Sequence, residues 1–215
     1  TEIAIDGRLD AAEWGDLDRE RAMVLERDPR NLEGANPKSW AWVRYDDEAL
    51  YVAVLSEVVP DHDLAVGTEW GADDSVEIAI EGQMGELCKG WWMLENEHGP
   101  IFMLIGNTVG EFEVLQVGGL PAVPANALEA ATEYGASMID RGMWSAEWRI
   151  PLRAACVDPE RLDQRPFNIG VRKTAGPASV SEWRPGEGPA GWVVWVGTGS
   201  RNWEVWNAGL LDFAR

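Results

Sequence analysis

Short runs in which apolar and polar residues alternate, separated by turn residues, recur along this chain. In "SVEIAI" (Ser75–Ile80), an apolar β-branched residue stands at every second position, which is the period of a β-strand that packs one face on a core. The other face of this strand, which carries Glu77, is expected to meet water. In "MWSAEWRIPL", the alternation is expected to end at Pro151, because proline has no N–H to donate to a β-ladder.

This pattern predicts a fold built from sheets. The sequence shows no long amphipathic helical pattern, and short helical pieces are predicted only at Ala11–Trp14 and Leu152–Cys156. Many short strands joined by turns are typical of an all-β fold. We predict one domain, residues 1–215, built as an antiparallel β-sandwich of two sheets with a jelly-roll-like arrangement and little helix. The predicted turns lie at Asp46–Asp47, Gly118–Gly119 and Arg141–Gly142. The predicted strands are Ile3–Ile5, Ala22–Leu25, Trp40–Tyr45, Leu50–Leu55, Ser75–Ile80, Trp91–Leu94, Phe102–Ile105, Phe112–Val117, Leu128–Tyr134, Trp144–Ile150, Phe167–Arg172, Trp192–Val196 and Leu210–Phe213.

The chain is strongly acidic, with 37 acidic and 18 basic side chains and a formal net charge of −19. The sequence contains no basic stripe, so nucleic acid and anionic membrane surfaces are not expected partners. The acidity suits neutral or cationic ligands and calcium, which takes oxygen ligands. An equally open interpretation is that the charge serves solubility alone.

Tryptophan is unusually frequent, with 13 copies against 4 Phe and 3 Tyr. A buried indole needs a partner for its N–H, so a core accommodates only some of them easily. We therefore expect some tryptophans to be partly exposed, as in a recognition surface.

The two cysteines, Cys88 and Cys156, have neither CxxC spacing nor the spacing of a zinc or haem-attachment site. They form one disulfide or stay free and buried, and the sequence leaves both open. The longest apolar runs fall far short of the roughly 20 residues of a membrane-spanning helix. No signal peptide precedes Thr1, so we expect an excised mature domain.

The segment that leads into the strand Ser75–Ile80 is a candidate site. In "TEWGADDSVEIAIEG", residues 68–82, Trp70 stands just before two aspartates and the strand. These residues are either ordinary loop residues or the wall of a binding site. In "GWWML", adjacent tryptophans point to opposite strand faces, so one of Trp91 and Trp92 is expected to be exposed, and Trp92 is the candidate for an extra aromatic wall. The alternative is one core tryptophan and one covered by a loop.

Loop aspartates are candidate calcium ligands, because calcium needs six to eight oxygen ligands. The alternative is turn chemistry, since aspartate favours turns without any metal. The sequence contains no EF-hand loop. The candidate ligands are Asp61, Asp63, Asp73 and Asp74, with Asp46 and Asp47 as further members of the same class.

Six motifs follow one another in an order that resembles a known family. Three early motifs in series carry most of the resemblance, and the match spans Ile5 to Phe213. The chain resembles the family 9 carbohydrate-binding modules and their DOMON-like relatives. The motifs are "IDGRLDAAEW", "VRYDDEALYVAV", "WGADDSVEIAI", "WSAEWRIPL", "FNIGVRKT" and "WVGTGSRNW…GLLDF".

The resemblance implies an antiparallel β-sandwich, often with structural calcium, and a slot in which two tryptophans stack on a terminal sugar. The matching positions are Trp70 and Trp203, with Glu77 as an acceptor for sugar hydroxyls. Ser200 stands where an asparagine of the site is expected, and Trp195 matches a tryptophan with a structural role.

Two further positions depart from the family pattern. Members that bind sugar place an arginine and a glutamine on the strands lining the slot, and this sequence has Met103 and Gly170 there. The aromatic pair is kept while the polar rim is changed. Whether the ligand is the family's sugar end or a different molecule therefore stays open.

We expect a secreted or cell-surface module of a bacterium that binds an oligo- or polysaccharide without catalysis and is tethered to a carbohydrate-active enzyme. One alternative is a catalytic domain acting on polysaccharide, although no pair among the 37 acidic residues stands out. Nucleophile elbows, P-loops, HExxH and dinucleotide fingerprints are absent from the sequence. Another alternative, taken from DOMON-like relatives, is a b-type haem domain with axial ligands among Met93, His98, Met103 and Lys173.

Overall fold

The structure is a computed structural model that describes residues 2–29, 34–65, 73–83, 99–116, 120, 122–161, 163–174, 191–198 and 204–213. Its strands are β1 (Met23–Arg27), β2 (Gly34–Tyr45), β3 (Ala49–Glu57), β4 (Ser75–Glu81), β5 (Ile101–Asn107), β6 (Phe112–Leu115), β7 (Glu133–Asp140), β8 (Met143–Pro151), β9 (Gln164–Arg172), β10 (Trp192–Val194) and β11 (Gly209–Asp212). Its helices are α1 (Ala11–Trp14) and α2 (Ala122–Ala131), with 3-10 turns at Arg19–Arg21 and Val205–Asn207.

The eleven strands of the described residues all belong to one antiparallel hydrogen-bonded sheet. Their order is β6-β5-β4-β9-β10-β1-β2-β3-β8-β7, and β11 pairs with the same edge of β9 as β10. The sheet folds back on itself, so that the β4, β5 and β9 layer shares one apolar core with the β2, β3 and β8 layer. The predicted all-β sandwich is confirmed, and its two layers are joined through β10 and β1. The single-domain interpretation stays a prediction.

The alternating pattern decides which side chains enter the core. The strand predicted at Ser75–Ile80 is β4, and β8 ends at Pro151 as predicted. The ring of Trp148 lies 5.5 Å from that of Phe112, which brings β6 against β8. The core side chains from these two strands, each 1% exposed or less, are Val76, Ile78, Ile80, Trp144, Ala146, Trp148 and Ile150.

The N-terminal segment packs on the outer face of β7 and β8, where the fully buried Glu147 holds it. One carboxylate oxygen accepts hydrogen bonds from the backbone N–H of Gly7 at 2.8 Å and of Asp6 at 3.2 Å. The other accepts one from Trp14 Nε1 at 2.6 Å. Gly7 has a φ of +81°, and a Cβ there would lie 2.4 Å from the Ala136 carbonyl carbon, so the position requires glycine. Two distant sequence motifs therefore meet in one buried network.

Helix α2 occupies most of the segment Leu128–Tyr134, so the strand predicted there is wrong. Five of the ten residues of α2 are alanine, the best helix former, and Leu128 is fully buried. The Glu129 carboxylate accepts a hydrogen bond from the Val114 N–H at 2.8 Å, which ties the helix to β6. Helix propensity and this tertiary contact outweigh the strand-like pattern.

Two shorter predictions are also wrong. Ile3–Ile5 is not a strand, and its Ala4 N–H donates to the Glu13 carboxylate at 3.2 Å instead of to a ladder. Leu152–Cys156 is a series of turns and not a helix, whereas the helix predicted at Ala11–Trp14 is confirmed as α1. Outside the described residues lie Trp91–Leu94 and Gly118–Gly119.

Cys156 is disulfide-bonded and fully buried, which decides between the two states that the sequence left open. The only other cysteine of the chain, Cys88, lies outside the residues that the structure describes. Within those same residues, no helix combines the length and the apolar character needed to cross a membrane.

Candidate functional site

Strand β4 lies at the centre of the candidate site, and both of its faces are buried. The face opposite the core carries Ser75, Glu77, Ala79 and Glu81, which are all 6% exposed or less. The expectation that this outer face meets water is therefore wrong. The turn Val205–Asn207 forms part of its cover, because Val205 clusters with Ala79 and Ile101.

Glu77 is the predicted site residue that the structure describes best. It is 3% exposed and lies opposite Ile105 of β5 and Gly170 of β9. A buried carboxylate loses its hydration and is tolerated only where other groups replace it. Glu77 is thus not a solvated surface residue, and its position suits a polar group at the base of a binding site.

Arg172 is a neighbour of Glu77 that the sequence analysis did not single out. It lies directly opposite Ser75 in the β4–β9 pair, on the same outer face as Glu77, and is 2% exposed. Its Nη1 donates to the Asp73 carbonyl oxygen at 2.9 Å. Burial lowers the pKa of Arg172, while the negative charges of Asp73, Asp74 and Glu77 raise it. The available signal was its spacing of two residues from Gly170, which puts both on one face.

The Asp74 side chain connects the start of β4 to two other segments of the chain through hydrogen bonds. Its Oδ2 accepts hydrogen bonds from the Ala65 N–H at 2.9 Å and from the Thr174 hydroxyl at 2.7 Å. Its Oδ1 accepts one from the Thr174 N–H at 3.3 Å. These partners lie 9 and 100 residues away along the chain, so Asp74 joins separate segments, which differs from the local turn chemistry expected as the alternative to metal binding.

Asp73 has the opposite environment, although it is the adjacent residue. It is 4% exposed, and its Oδ1 has no hydrogen-bond partner among the described residues. Burial raises the pKa of Asp73 to about 6, an effect that the Arg172 charge opposes and the Asp74 and Glu113 charges reinforce. Its charged form is therefore poorly stabilised in the fold.

This contrast predicts opposite effects of the same substitution at two adjacent positions. Asp73→Asn is expected to raise the free energy of unfolding by about 1–2 kcal/mol near neutral pH, because it removes a buried charge without adequate partners. Since folding raises the pKa of Asp73, its cost develops as pH rises from about 4 to about 6, and the gain should vanish below that range. Urea unfolding at both ends of the range measures it.

The matched control is Asp74→Asn. It is expected to lower the free energy of unfolding by about 1–2 kcal/mol, because an amide cannot accept all the hydrogen bonds of the carboxylate. Equal effects of the two substitutions would contradict the environments assigned to these neighbours.

The described residues supply only part of a calcium site. Asp61 and Asp63 are exposed, and Asp74 is engaged by backbone and hydroxyl donors. Of these four aspartates, Asp73 alone combines burial with an oxygen that lacks a hydrogen bond in this part of the chain. Within it, no group of three or more His, Cys, Asp or Glu side chains is placed to hold a metal ion. These residues alone do not fit calcium, which needs six or more oxygens, so calcium stays a prediction.

The aromatic members of the predicted slot are not among the described residues. Trp195 is described, and its ring lies 6.3 Å from that of Phe167, against the core. A Cβ on Gly209 would lie 2.2 Å from the Trp195 ring, so that indole is tightly packed, which fits the structural role expected for Trp195. The roles of the following residues stay predictions, because they lie outside the described ranges: Trp70, Trp92, Ser200 and Trp203.

The structure argues against one pair of haem ligands. Met103 lies on the outer face of β5, opposite Ala79. Lys173 enters the space between the layers, where Nζ donates to the hydroxyls of Ser56 at 2.7 Å and Ser39 at 3.0 Å. Two axial ligands must meet at one iron, and side chains on opposite faces of a sheet do not. The other candidates, Met93 and His98, lie outside the described residues.

Two solved structures share this architecture. One is a family 9 carbohydrate-binding module (CBM9) from Caldicellulosiruptor kristjanssonii in complex with glucose, similar at a TM-score of 0.56 and 16% identity over 99% of this chain and 91% of that chain. The other is a CBM9 from the same organism in complex with cellotriose, at a TM-score of 0.54 and 16% identity over 91% and 80%. No family model and no curated protein matches the chain.

The likeness extends over nearly the whole chain and establishes its fold. The family 9 resemblance that the motifs indicated is confirmed at this level, because the similar structures are CBM9 modules with the same all-β architecture. The relation to DOMON-like proteins stays a prediction.

Proposed function

We propose that this chain is a non-catalytic module that binds a sugar of an oligo- or polysaccharide in a slot between Trp70 and Trp203. The observation that carries the proposal is the likeness of fold, over 99% of the chain, to a module in complex with glucose. Among the described residues, Glu77 supports the proposal. It is a buried carboxylate on the outer face of β4, and the other side chains that β4 places on this face are buried as well.

The chemistry of such a slot follows from the ligand. A sugar ring has apolar C–H faces that stack on indole, and hydroxyls at its rim that need hydrogen bonds. A site of this kind consists of apolar walls with a few placed polar groups. Rigid tryptophan walls lose little conformational entropy on binding. Glu77 acts as a charged acceptor, which makes a stronger hydrogen bond to a hydroxyl than a neutral group does.

The test is titration calorimetry with glucose, cellobiose, cellotriose, xylobiose and mannobiose. We expect binding in the micromolar to millimolar range, or about −8 to −4 kcal/mol. Trp70→Ala and Trp203→Ala should each weaken binding by at least about 30-fold, since a central aromatic contact contributes about 2 kcal/mol or more. The matched control is Trp42→Ala, because Trp42 alternates with the core residues Ala41 and Val43 and so lies on the outer face of β2 in the other layer, where its Nε1 donates to the Asp18 carbonyl oxygen at 3.4 Å.

Three outcomes separate the alternatives. Loss of binding in both slot variants with the control unchanged supports the proposal. Unchanged affinity in both slot variants rejects the slot. A wild-type protein that binds none of these sugars or their polymers rejects carbohydrate binding, and a Soret band after haem addition would then favour an electron-transfer domain.

We further propose that the module acts outside the cell and is tethered to other domains. Support for the location comes from the disulfide at Cys156, since disulfides persist in oxidising compartments and are rare in the cytosol. Mass spectrometry of the native parent protein, isolated from culture supernatant and from cells, tests both statements.

A further inference from the structure

We propose that Arg172 contacts the bound sugar and donates a hydrogen bond to one of its hydroxyls, while Glu77 accepts a hydrogen bond from the neighbouring hydroxyl. The two residues together recognise two adjacent sugar hydroxyls. The inference rests on the proposed function and adds a residue that determines specificity.

This guanidinium is buried, and most of its donors have no partner among the described residues. An arginine has five N–H donors. Arg172 is 2% exposed. Among the described residues, its guanidinium makes one hydrogen bond, from Nη1 to the Asp73 carbonyl oxygen. Its Nε is buried without a partner over the same residues. A buried cation costs free energy unless acceptors replace its hydration, so this position suits an acceptor from a ligand.

Register places this donor beside the predicted acceptor. Ser75 lies directly opposite Arg172, and Glu77 lies directly opposite Gly170. Glu77 and Arg172 are therefore diagonal neighbours on one face, about 7–8 Å apart at their backbones, which long side chains span. Gly170 contributes no side chain next to Glu77. The Ser75 hydroxyl is also buried without a partner among the described residues, which adds a second group able to contact a polar ligand.

The pair has complementary hydrogen-bonding chemistry. A carboxylate only accepts, and a guanidinium only donates. Two adjacent hydroxyls of a sugar ring match this arrangement, because one donates to the carboxylate while the oxygen of the other accepts from the guanidinium. On β5, Met103 of the same face is buried and offers no such donor. The ligand class is thus a sugar with two free neighbouring hydroxyls at its bound end.

The experiment pairs protein variants with ligand variants. Wild type, Arg172→Met and Arg172→Lys are titrated with the tightest-binding sugar of the panel and with its monodeoxy analogues. For wild type, the two analogues that lack either of the two contacted hydroxyls should each bind roughly 10- to 100-fold more weakly, as expected for a lost hydrogen bond to a charged group. For Arg172→Met, the parent sugar should bind more weakly by a similar factor. Removal of the hydroxyl that Arg172 contacts should then have no further effect, while removal of the hydroxyl that Glu77 contacts still weakens binding. Arg172→Lys should lie between.

The matched control is Lys173→Met. Lys173 is the adjacent buried cation but points between the layers, so its loss should leave the affinity for the parent sugar and for every deoxy analogue unchanged. Thermal melting shows which variants are folded. If Arg172→Met does not fold, Arg172→Lys, which keeps a positive charge at the site, replaces it in the comparison.

The outcomes distinguish this inference from the proposed function. If the wild type binds sugar through the tryptophan slot but the deoxy effect is the same in wild type and in the Arg172 variant that folds, the inference is rejected and the proposed function stands. If Arg172 only supports the Asp73 carbonyl, its substitution would weaken the binding of all the sugars by the same factor. The ratio of affinities between the parent sugar and each deoxy analogue would then stay unchanged. If the wild type binds no sugar, both statements fail.

Discussion

Glu147→Ala is expected to lower the free energy of unfolding by about 3 kcal/mol, because it leaves buried donors without their acceptor. The Glu147 carboxylate accepts hydrogen bonds from Trp14 Nε1 and from the N–H groups of Gly7 and Asp6. Burial raises the pKa of Glu147, and these hydrogen bonds lower it, so the carboxylate depends on them for its place in the fold. Since domains of this size are stable by about 5–15 kcal/mol, the loss should be a large fraction of the total.

Urea unfolding of a short variant series measures this effect. Glu147→Gln keeps one carbonyl acceptor but sets an amide N–H₂ against a donor, so its loss should be intermediate. The control is Glu133→Ala, because Glu133 is an exposed carboxylate on the adjacent strand whose ion pair with Arg149 is worth at most about 1 kcal/mol. Equal losses for Glu147→Ala and Glu133→Ala would refute the anchoring role of Glu147.

Lys173 should make the stability of the protein rise with pH above neutrality. Lys173 is fully buried, and burial lowers its pKa to about 7, against the opposing charges of Asp74 and Glu57. A lysine whose pKa is lowered by folding holds fewer protons in the folded state between about pH 7 and its ordinary pKa of about 10.4. Over that window the free energy of unfolding gains about 1.4 kcal/mol per pH unit from this group.

The measurement compares wild type with Lys173→Met by urea unfolding at several pH values. The difference between them isolates Lys173, because the other ionisable groups are common to both proteins. From about pH 6 to about pH 9 wild type should gain about 2–3 kcal/mol relative to the variant. Below about pH 7 the lysine is protonated in both states and the difference should be flat. A difference independent of pH over the whole range would show that Lys173 keeps its ordinary pKa in the fold.

Local sequence pattern predicted most of the sheet. β4 and β8 follow from alternation, and the end of β8 follows from Pro151, because the period of two and the missing N–H are properties of short stretches of chain. The pattern failed where a tertiary contact competes with it. The Glu129 side chain of α2 bonds the N–H of Val114, a partner fifteen residues away.

For the candidate site, too, the sequence predicted one residue and could not predict another. Glu77 could be named from the sequence, since its motif resembles that of a known family. Arg172 could not, because its relation to Glu77 depends on the register between β4 and β9, which are far apart in the chain. Its burial, and the different environments of Asp73 and Asp74, depend on which segments pack together.

By itself, the sequence determined the fold class, the positions of most strands and the place of a carboxylate, Glu77, in the strand that follows Trp70. These features depend on residue type and short-range periodicity. Only the tertiary structure decided that the outer face of β4 is buried, that Glu147 joins the N-terminal segment to β8, and that Arg172 lies beside Glu77 on one face of the sheet. Burial and hydrogen-bond partners come from residues distant in the chain, and their free energies depend on that environment rather than on the identity of the residue.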